Sequence, residues 1–338
     1  MSAPGFWHRK PGLVAGLLAP AAAVWRLATA RRVARAPKLR AGVPVICVGN
    51  MTVGGAGKTP TVMALTERLI AAGAAPHVVT RGHGGRTEGP LRVALDAPAA
   101  EVGDEALLHA ALAPTWVSKD RAAGAAAAEA AGAGVILLDD GFQNPDVAKD
   151  LSILVVDAEK AFGNGRIVPA GPLREPVEAA LARADLVLLI GAEAVRADCL
   201  ARHPALATRP VIGGTLRPLD MGMPWTGVRV LAFAGIGRPE KFFASLRAAG
   251  AEVAATRAFA DHQPFGPAIL ARLEREAAAA GATLVTTEKD MARLPPAWRA
   301  KVRPFPVRLA LDPAPALDAA LAQLLGGAAE AGPDGPAS

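Results

Sequence analysis

Residues Thr52-Val53-Gly54-Gly55-Ala56-Gly57-Lys58-Thr59 directly follow an apolar run, Val43 to Gly49, with the composition of a buried strand. A glycine-rich turn between a strand and a helix lets several backbone N–H groups converge on one point, and the helix N-terminus adds its positive dipole end there. Such a loop is built to hold phosphate. Lys58 is placed to reach the β- and γ-phosphates of a nucleoside triphosphate, and the Thr59 hydroxyl to ligate Mg²⁺. Thr52 stands where the pattern G-x-x-x-x-G-K-[ST] has its first glycine, and the competing reading is an ordinary glycine turn entering a helix. Strand, glycines, lysine and threonine occurring together favour the nucleotide, with Thr52, Val53, Gly54, Gly55, Ala56, Gly57, Lys58 and Thr59 as the cradle of ATP.

The surrounding pattern fits such a loop. Apolar β-type runs alternate with Ala-rich helical stretches, as in a parallel sheet wrapped by helices. Strands are expected at Val43–Val48, His77–Thr80, Thr115–Val117, Val135–Leu138, Leu151–Asp157 and Leu186–Ile190. Helices are expected at Lys58–Ala72, Asp104–Leu112, Asp120–Ala131 and Val177–Ala184. A second unit begins near Gly227, with strands Val228–Ala234 and Thr283–Thr286 and helices Pro239–Ala249 and Phe265–Ala280. Val211–Pro218 and Val302–Leu311 flank it as a possible two-strand connector. The predicted fold is α/β: a P-loop-containing, doubly wound, mostly parallel sheet with a second, smaller α/β domain and a short β linker. The expected spans are 1–40 for an N-terminal membrane-associated helix, 41–220 for the nucleotide-binding domain and 221–311 for the smaller domain with its linker strand. A C-terminal helix over 312–325 and a disordered tail over 326–338 complete the expectation.

Charge is uneven. No acid precedes Glu67, whereas Arg9, Lys10, Arg26, Arg31, Arg32, Arg35, Lys38, Arg40 and Lys58 do, so the overall +6 belongs to one end of the chain. That end also carries Phe6-Trp7 and an apolar stretch from Gly12 to Trp25, which Arg26 ends short of the ~20 residues a spanning helix needs. A secretion signal has the same ingredients, but export would take the phosphate loop away from ATP. An interfacial helix fits better, with Trp7 and Trp25 at the headgroup boundary and Arg31, Arg32 and Arg35 facing anionic lipid. A plain amphipathic helix covering the core is the alternative. Nucleic acid is not expected as a partner: no aromatic residue is interleaved in the Arg-rich part, and the chain has no Tyr. No obligate protein partner is inferred. Two cysteines, Cys47 and Cys199, make no disulfide framework, and reduced thiols with a need for ATP point to the cytosol.

Four further segments carry chemistry. Asp139 and Asp140 end a buried strand and are followed by Gly-Phe-Gln143, an acidic partner for the Mg²⁺ held by Thr59. An Asp-Gly turn cap is the plain reading. Asp139, last in the apolar run, is the better metal candidate, with Asp140 and Gln143 acting through water or supporting bonds. Gly163 to Pro176 is too rich in Gly and Pro for helix or strand, and a loop this long is usually functional. Its Arg174 and Glu175, like Arg121 at the start of another helix, are candidates to face phosphates, although a single Arg is more often a solvated charge. Asp104 opens a helix as either cap or base, and His262 in the second unit is a possible partner for proton removal from a hydroxyl. Gly235-Ile-Gly237-Arg-Pro-Glu240 lacks a third glycine and reads as a strand-to-helix turn rather than a dinucleotide site.

Together these motifs resemble the tetraacyldisaccharide 4′-kinase family, whose members phosphorylate a lipid disaccharide in lipid A synthesis. The specific elements are Thr52–Pro60, Asp139–Gln143, Gly165–Pro176 and Thr286–Asp290, with Gly103-Asp104-Glu105, Asp120-Arg121, Gly235-Ile-Gly237 and Asp261-His262 in the family's order. The resemblance implies two α/β domains with ATP and lipid meeting between them. It implies that Asp104 and His262 serve the attacking hydroxyl, that Lys58, Thr59, Asp139, Gln143 and Glu175 serve MgATP, and that Arg121 and Arg174 contact phosphate. It further implies a lipid disaccharide substrate, an anionic inner-membrane surface as partner, and a monotopic or peripheral location on that membrane's cytoplasmic face. Ala106, Gln263, His83 and Asn144 depart from the family's usual residues, and none of these positions carries an assigned role.

Overall fold

The computed structural model describes residues 4–222 and 224–330. Among them thirteen strands form two sheets: β1 (Val45–Gly49), β2 (Pro76–Thr80), β3 (Leu91–Arg92), β4 (Thr115–Val117), β5 (Val135–Asp139), β6 (Leu151–Asp157), β7 (Leu186–Ile190), β8 (Val211–Pro218), β9 (Arg229–Ala234), β10 (Glu252–Ala258), β11 (Thr283–Thr287), β12 (Val302–Phe305) and β13 (Val307–Leu311). The larger sheet runs β13-β8-β7-β6-β1-β5-β2-β4-β3, parallel except at its two edges. Strand β1 lies between β5 and β6, so the crevice beyond its C-terminal end is where an open α/β sheet places a ligand.

Central strands of such a sheet are covered on both faces, which is why β1, β5 and β7 read as unbroken apolar runs and are buried throughout. On one face Val62, Leu65 and Leu69 of the helix Lys58–Ala71 pack on Ile46, Val48, Ile153 and Val155. On the other, Ala125 and Ala128 of Arg121–Ala130 and Ala180 and Leu181 of Val177–Arg183 pack on Val45, Cys47, Leu138 and Val156. Truncating one of these fully buried leucines to alanine costs about 2–5 kcal/mol.

The smaller sheet, β10-β9-β11-β12, is parallel throughout. Helix Pro239–Ala248 packs Phe242 and Leu246 on one face and helix Pro267–Ala279 packs Leu270 and Leu273 on the other. The chain enters this lobe after β8 and returns through β13, which pairs antiparallel with β8, Leu309 opposite Leu216. The expected connector thus exists, but Val302–Leu311 is not one segment. Pro306 divides it into β12 of the smaller sheet and β13 of the larger one, so residues 307–311 leave the unit expected to span 221–311. Strand β10 escaped the sequence reading because it is a half-exposed edge without an apolar run. The last helix, Pro315–Glu330, continues five residues past its expected end at 325; the rest of the expected tail, 331–338, lies outside the described residues.

The N-terminal segment forms a 3₁₀ turn, Gly5–His8, and helices Leu13–Leu17 and Ala19–Val33. Leu13 is 89% exposed, Leu17 82% and Val24 70%. Trp7 corrects one expectation: it is buried, not presented outward. Its Nε1–H donates to the Pro169 carbonyl (3.0 Å), and its own carbonyl accepts from Asn164 N–H (2.7 Å). Trp25 is partly exposed and donates Nε1–H to the Arg174 carbonyl at 3.2 Å. No helix among the described residues is long and apolar enough to cross a membrane.

Candidate active site

The phosphate loop leaves β1 at Gly49, where an added Cβ would fall 2.3 Å from the Phe142 Cβ, so the Gln143 turn can close over it. Gly57, at φ +95°, ends the loop in the left-handed region and is the N-cap of Lys58–Ala71; a Cβ there would meet Ile190 Cδ1 at 2.5 Å. The helix has no side-chain cap and no acid in its first turn, which leaves its N-terminal N–H groups free for an anion. Buried Asn50, which sequence reasoning passed over, shapes the loop from beneath. Its Nδ2 donates to the Thr52 carbonyl (2.8 Å), and its Oδ1 accepts from Lys58 Nζ (3.1 Å). The Gly163–Pro176 loop docks alongside, the Pro172 carbonyl accepting from Val53 N–H at 2.8 Å.

At the tip of β5 the two aspartates diverge. Asp140, at φ +54°, turns toward the phosphate loop: Arg174 grips both of its oxygens (2.9 and 3.3 Å), and Lys58 Nζ lies 3.6 Å away. Burial alone would raise its pKa, but Lys58 and Arg174 outweigh that and hold the carboxyl below its ordinary range. Asp139 is buried, with Oδ2 3.2 Å from His109 Nε2 and 3.4 Å from Thr80 Oγ1. Its Oδ1 is buried without a hydrogen-bond partner among the described residues. The acid joined to Lys58 is Asp140, while Asp139, the metal candidate favoured from strand position, keeps one buried oxygen without a partner among the described residues.

Gln143 links these parts, donating to the Asn50 carbonyl and Glu175 Oε1 (both 2.9 Å) and accepting from Arg174 (3.1 Å). Glu175 is buried and takes a second partner in Arg183, whose Nη2 donates to both of its oxygens at 2.8 and 2.7 Å. Arg121 is not the solvated charge that a single Arg more often is, and its Nε has no hydrogen-bond partner among the described residues. It is buried beneath the strand tips, donating to the Ser118 (2.8 Å) and Asp139 (3.0 Å) carbonyls, while Asp120 caps its helix. Arg121 braces the β5 tip from below.

Mg²⁺ seeks a few hard oxygens and keeps waters and phosphates as its other ligands. Among the described residues no cluster of three His, Cys, Asp or Glu side chains is arranged to hold a metal by itself. The orphaned Asp139 oxygen and the half-exposed Asp140, both at the β5 tip, and the hydroxyl of Thr59 in the first turn of Lys58–Ala71 are the hard oxygen donors available to Mg²⁺ bound with a triphosphate.

The second lobe closes against this face. Asp104 is the first residue of the helix Asp104–Ala110 and is 3% exposed; its Oδ1 accepts Glu105 N–H at 2.9 Å. Its Oδ2 lies 3.1 Å from His262 Nδ1 and 3.5 Å from Arg293 Nε. The two residues the sequence could pair only as a possibility are in contact across the lobes. Burial would raise the Asp104 pKa, but His262, Lys289 and Arg293 together hold it below the ordinary carboxylate range. The same helix packs on Lys58–Ala71 and carries His109 to Asp139, which places the dyad beside the nucleotide face. Lys289 and Glu105 (2.9 Å), with Arg238 bridging Asp157 and Glu159, add further interlobe ion pairs. Asn50, His109, Lys289 and Arg293 were not assigned from sequence; the Thr286–Asp290 motif marked the neighbourhood of the last two without indicating a role.

A phosphate loop at the switch point of a parallel sheet, closed by a smaller lobe that carries a His–Asp contact, defines a P-loop nucleotide-binding phosphotransferase. A model of the tetraacyldisaccharide-1-P 4′-kinase family matches residues 14–326. The chain is 55% identical over 330 residues to a tetraacyldisaccharide 4′-kinase of Jannaschia, covering 96% of this chain and all of that one. It is 58% identical over 329 residues to that of Dinoroseobacter shibae, covering 95% and 97%. The LpxK of Aquifex aeolicus, solved in complex with ATP, superposes with a TM-score of 0.73 at 25% identity, covering 93% of this chain and all of that one. The chain belongs to the tetraacyldisaccharide-1-P 4′-kinase family.

Proposed function

We propose that this chain transfers the γ-phosphoryl group of ATP to the 4′-hydroxyl of a tetraacyldisaccharide 1-phosphate, giving lipid IVA. The observation that carries the mechanism is the 3.1 Å contact between Asp104 and His262, made across the lobes beside the phosphate loop. The loop amides and Lys58 hold the triphosphate, and Arg174 exchanges its grip on Asp140 for phosphate oxygens. Thr59 and the Asp139–Asp140 pair would hold Mg²⁺, with Gln143 and Glu175 fixing their surroundings. Bound there, Mg²⁺ would supply neutralisation of the charge that builds on the phosphate oxygens. Asp104 accepts the 4′-hydroxyl proton while His262 orients the carboxylate. The freed oxygen then attacks the γ-phosphorus, and the bond to the β-phosphate oxygen breaks to release ADP. Positioning supplies most of the rate, because phosphoryl transfer needs little covalent help. The closed lobes exclude water that would otherwise consume ATP.

Exposed Leu13, Leu17, Val24 and Leu27, with Arg26, Arg31, Arg32 and Arg35 on the same segment, support peripheral binding to an anionic leaflet on the cytoplasmic side. Docking of this segment through Trp7 and Trp25 onto the Gly163–Pro176 loop then sets the nucleotide pocket at a fixed height over the lipid. The test supplies labelled ATP with extracted lipid acceptor, with a panel of soluble sugars, or with neither, each with and without a Mg²⁺ chelator. Mg²⁺-dependent label in an organic-phase product is expected. Label on a soluble sugar, or phosphate release without acceptor, refutes the assignment.

A further inference from the structure

The second lobe presents His262 from a strained turn. The residue sits at φ +58°, and its N–H donates to the Gly235 carbonyl at 3.0 Å. That carbonyl has a second donor in Arg293 Nη2 (2.7 Å), while Arg293 Nη1 reaches the Gln263 carbonyl at 3.4 Å. The guanidinium lies over the Phe265 ring, 5.5 Å from its centroid, and is paired with Asp290 one helical turn back. Asp290 is fully buried and accepts the Gly235 N–H (3.1 Å) and the Thr287 hydroxyl (2.7 Å), so the arginine is itself held from behind. One buried donor remains. Arg293 Nε has no hydrogen-bond partner among the described residues and lies 3.5 Å from Asp104 Oδ2.

We infer that Arg293 is the positioning residue of the acceptor dyad, fixing the His262 turn through Gly235 and Gln263 and setting a rigid cation against Asp104. A planar guanidinium suits both tasks, because its donors are fixed in direction and its charge is permanent. A lysine supplies the charge without the fork, and a methionine fills the space with neither. The assignment rests on Asp104 being the base. The groups facing Asp104 are His262 from the second-lobe turn and Lys289, Asp290 and Arg293 from the opposing helix, with Glu105 and Asp261 paired just beyond.

The full-length kinase is assayed as Arg293→Met, Arg293→Lys, Asp104→Asn and the Asp104→Asn/Arg293→Met double variant. Arg293→Met is expected to lower kcat by roughly 10- to 100-fold with KM for ATP within about twofold, because the residue touches the acceptor side alone. Its acid limb moves to higher pH, since a cation near the base is lost. In the Asp104→Asn background the same change costs less than about threefold, as expected of residues that act as a unit. An equal loss in both backgrounds, or wild-type kcat with only a lowered melting temperature, overturns the inference. If Arg293→Met does not fold, Arg293→Lys decides: a loss of about fivefold or more with an unmoved acid limb supports the positioning role, and wild-type kcat refutes it. Wild-type rates in Asp104→Asn sink the dyad itself, whereas a slow Asp104→Asn beside an unaffected Arg293→Met sinks only the arginine's assignment.

Discussion

Replacing Asp104 by asparagine removes a charge and almost nothing else. The side chain keeps its size and its acceptor toward Glu105 N–H, now 2.9 Å from Oδ1. Two cations lose a neighbour, but each retains another: Lys289 keeps Glu105, and Arg293 keeps Asp290. The structural penalty is therefore that of one buried charge-assisted hydrogen bond, about 1.5–3 kcal/mol. A positioned general base contributes ~10²–10⁴ in rate, so kcat should fall by that factor, equivalent to ~3–5.5 kcal/mol of barrier. ATP affinity should hardly move, because no contact of Asp104 involves the phosphate loop. Steady-state kinetics on dispersed lipid, calorimetric titration with an ATP analogue and thermal melting separate these quantities. A variant with kcat within about fivefold of wild type, folded and binding ATP, would refute the base assignment. A large rise in KM for ATP at unchanged kcat would move Asp104 to the nucleotide side.

Three other outcomes follow from the geometry. With Asp104 as the proposed base, activity should be lost as pH falls through its pKa; because that pKa is held below the ordinary range, partly by His262, His262→Ala should move the acid limb of the kcat/KM profile to higher pH, and an unmoved limb counts against the contact. Gly57→Ala forces a side chain into φ +95° with its Cβ 2.5 Å from Ile190 Cδ1, so thermal unfolding should report a loss of about 1–3 kcal/mol and ATP binding should weaken; wild-type behaviour in both would show that the loop tolerates another shape. Leu13→Ser/Leu17→Ser/Val24→Ser changes only exposed side chains, so sedimentation with anionic vesicles should drop while the melting temperature holds, and unchanged sedimentation would remove this segment as the anchor.

Most of the fold was legible because its signals are local. Strands β4, β6 and β7 carry their expected boundaries, since strands inside the sheet read as short, largely apolar runs. Edge strands gave less away: β10 has one exposed side, and β12 and β13 are told apart only by the sheets that receive them. The site divides along the same line. Glycines at positive φ, the lysine and threonine that follow and the Gly–Pro loop declare phosphate binding by residue type and spacing.

Sequence by itself thus determined that a glycine-rich loop followed by Lys58 and Thr59 sits at the end of β1, because the backbone conformations needed there exclude nearly all other residues. Tertiary structure alone decided which acid turns to Lys58, that Arg121 is buried at the β5 tip, and that Arg293 faces Asp104. A charged side chain takes its role from its partners, and those partners lie 158 residues apart for Asp104 and His262, a separation across which only the packed lobes carry information.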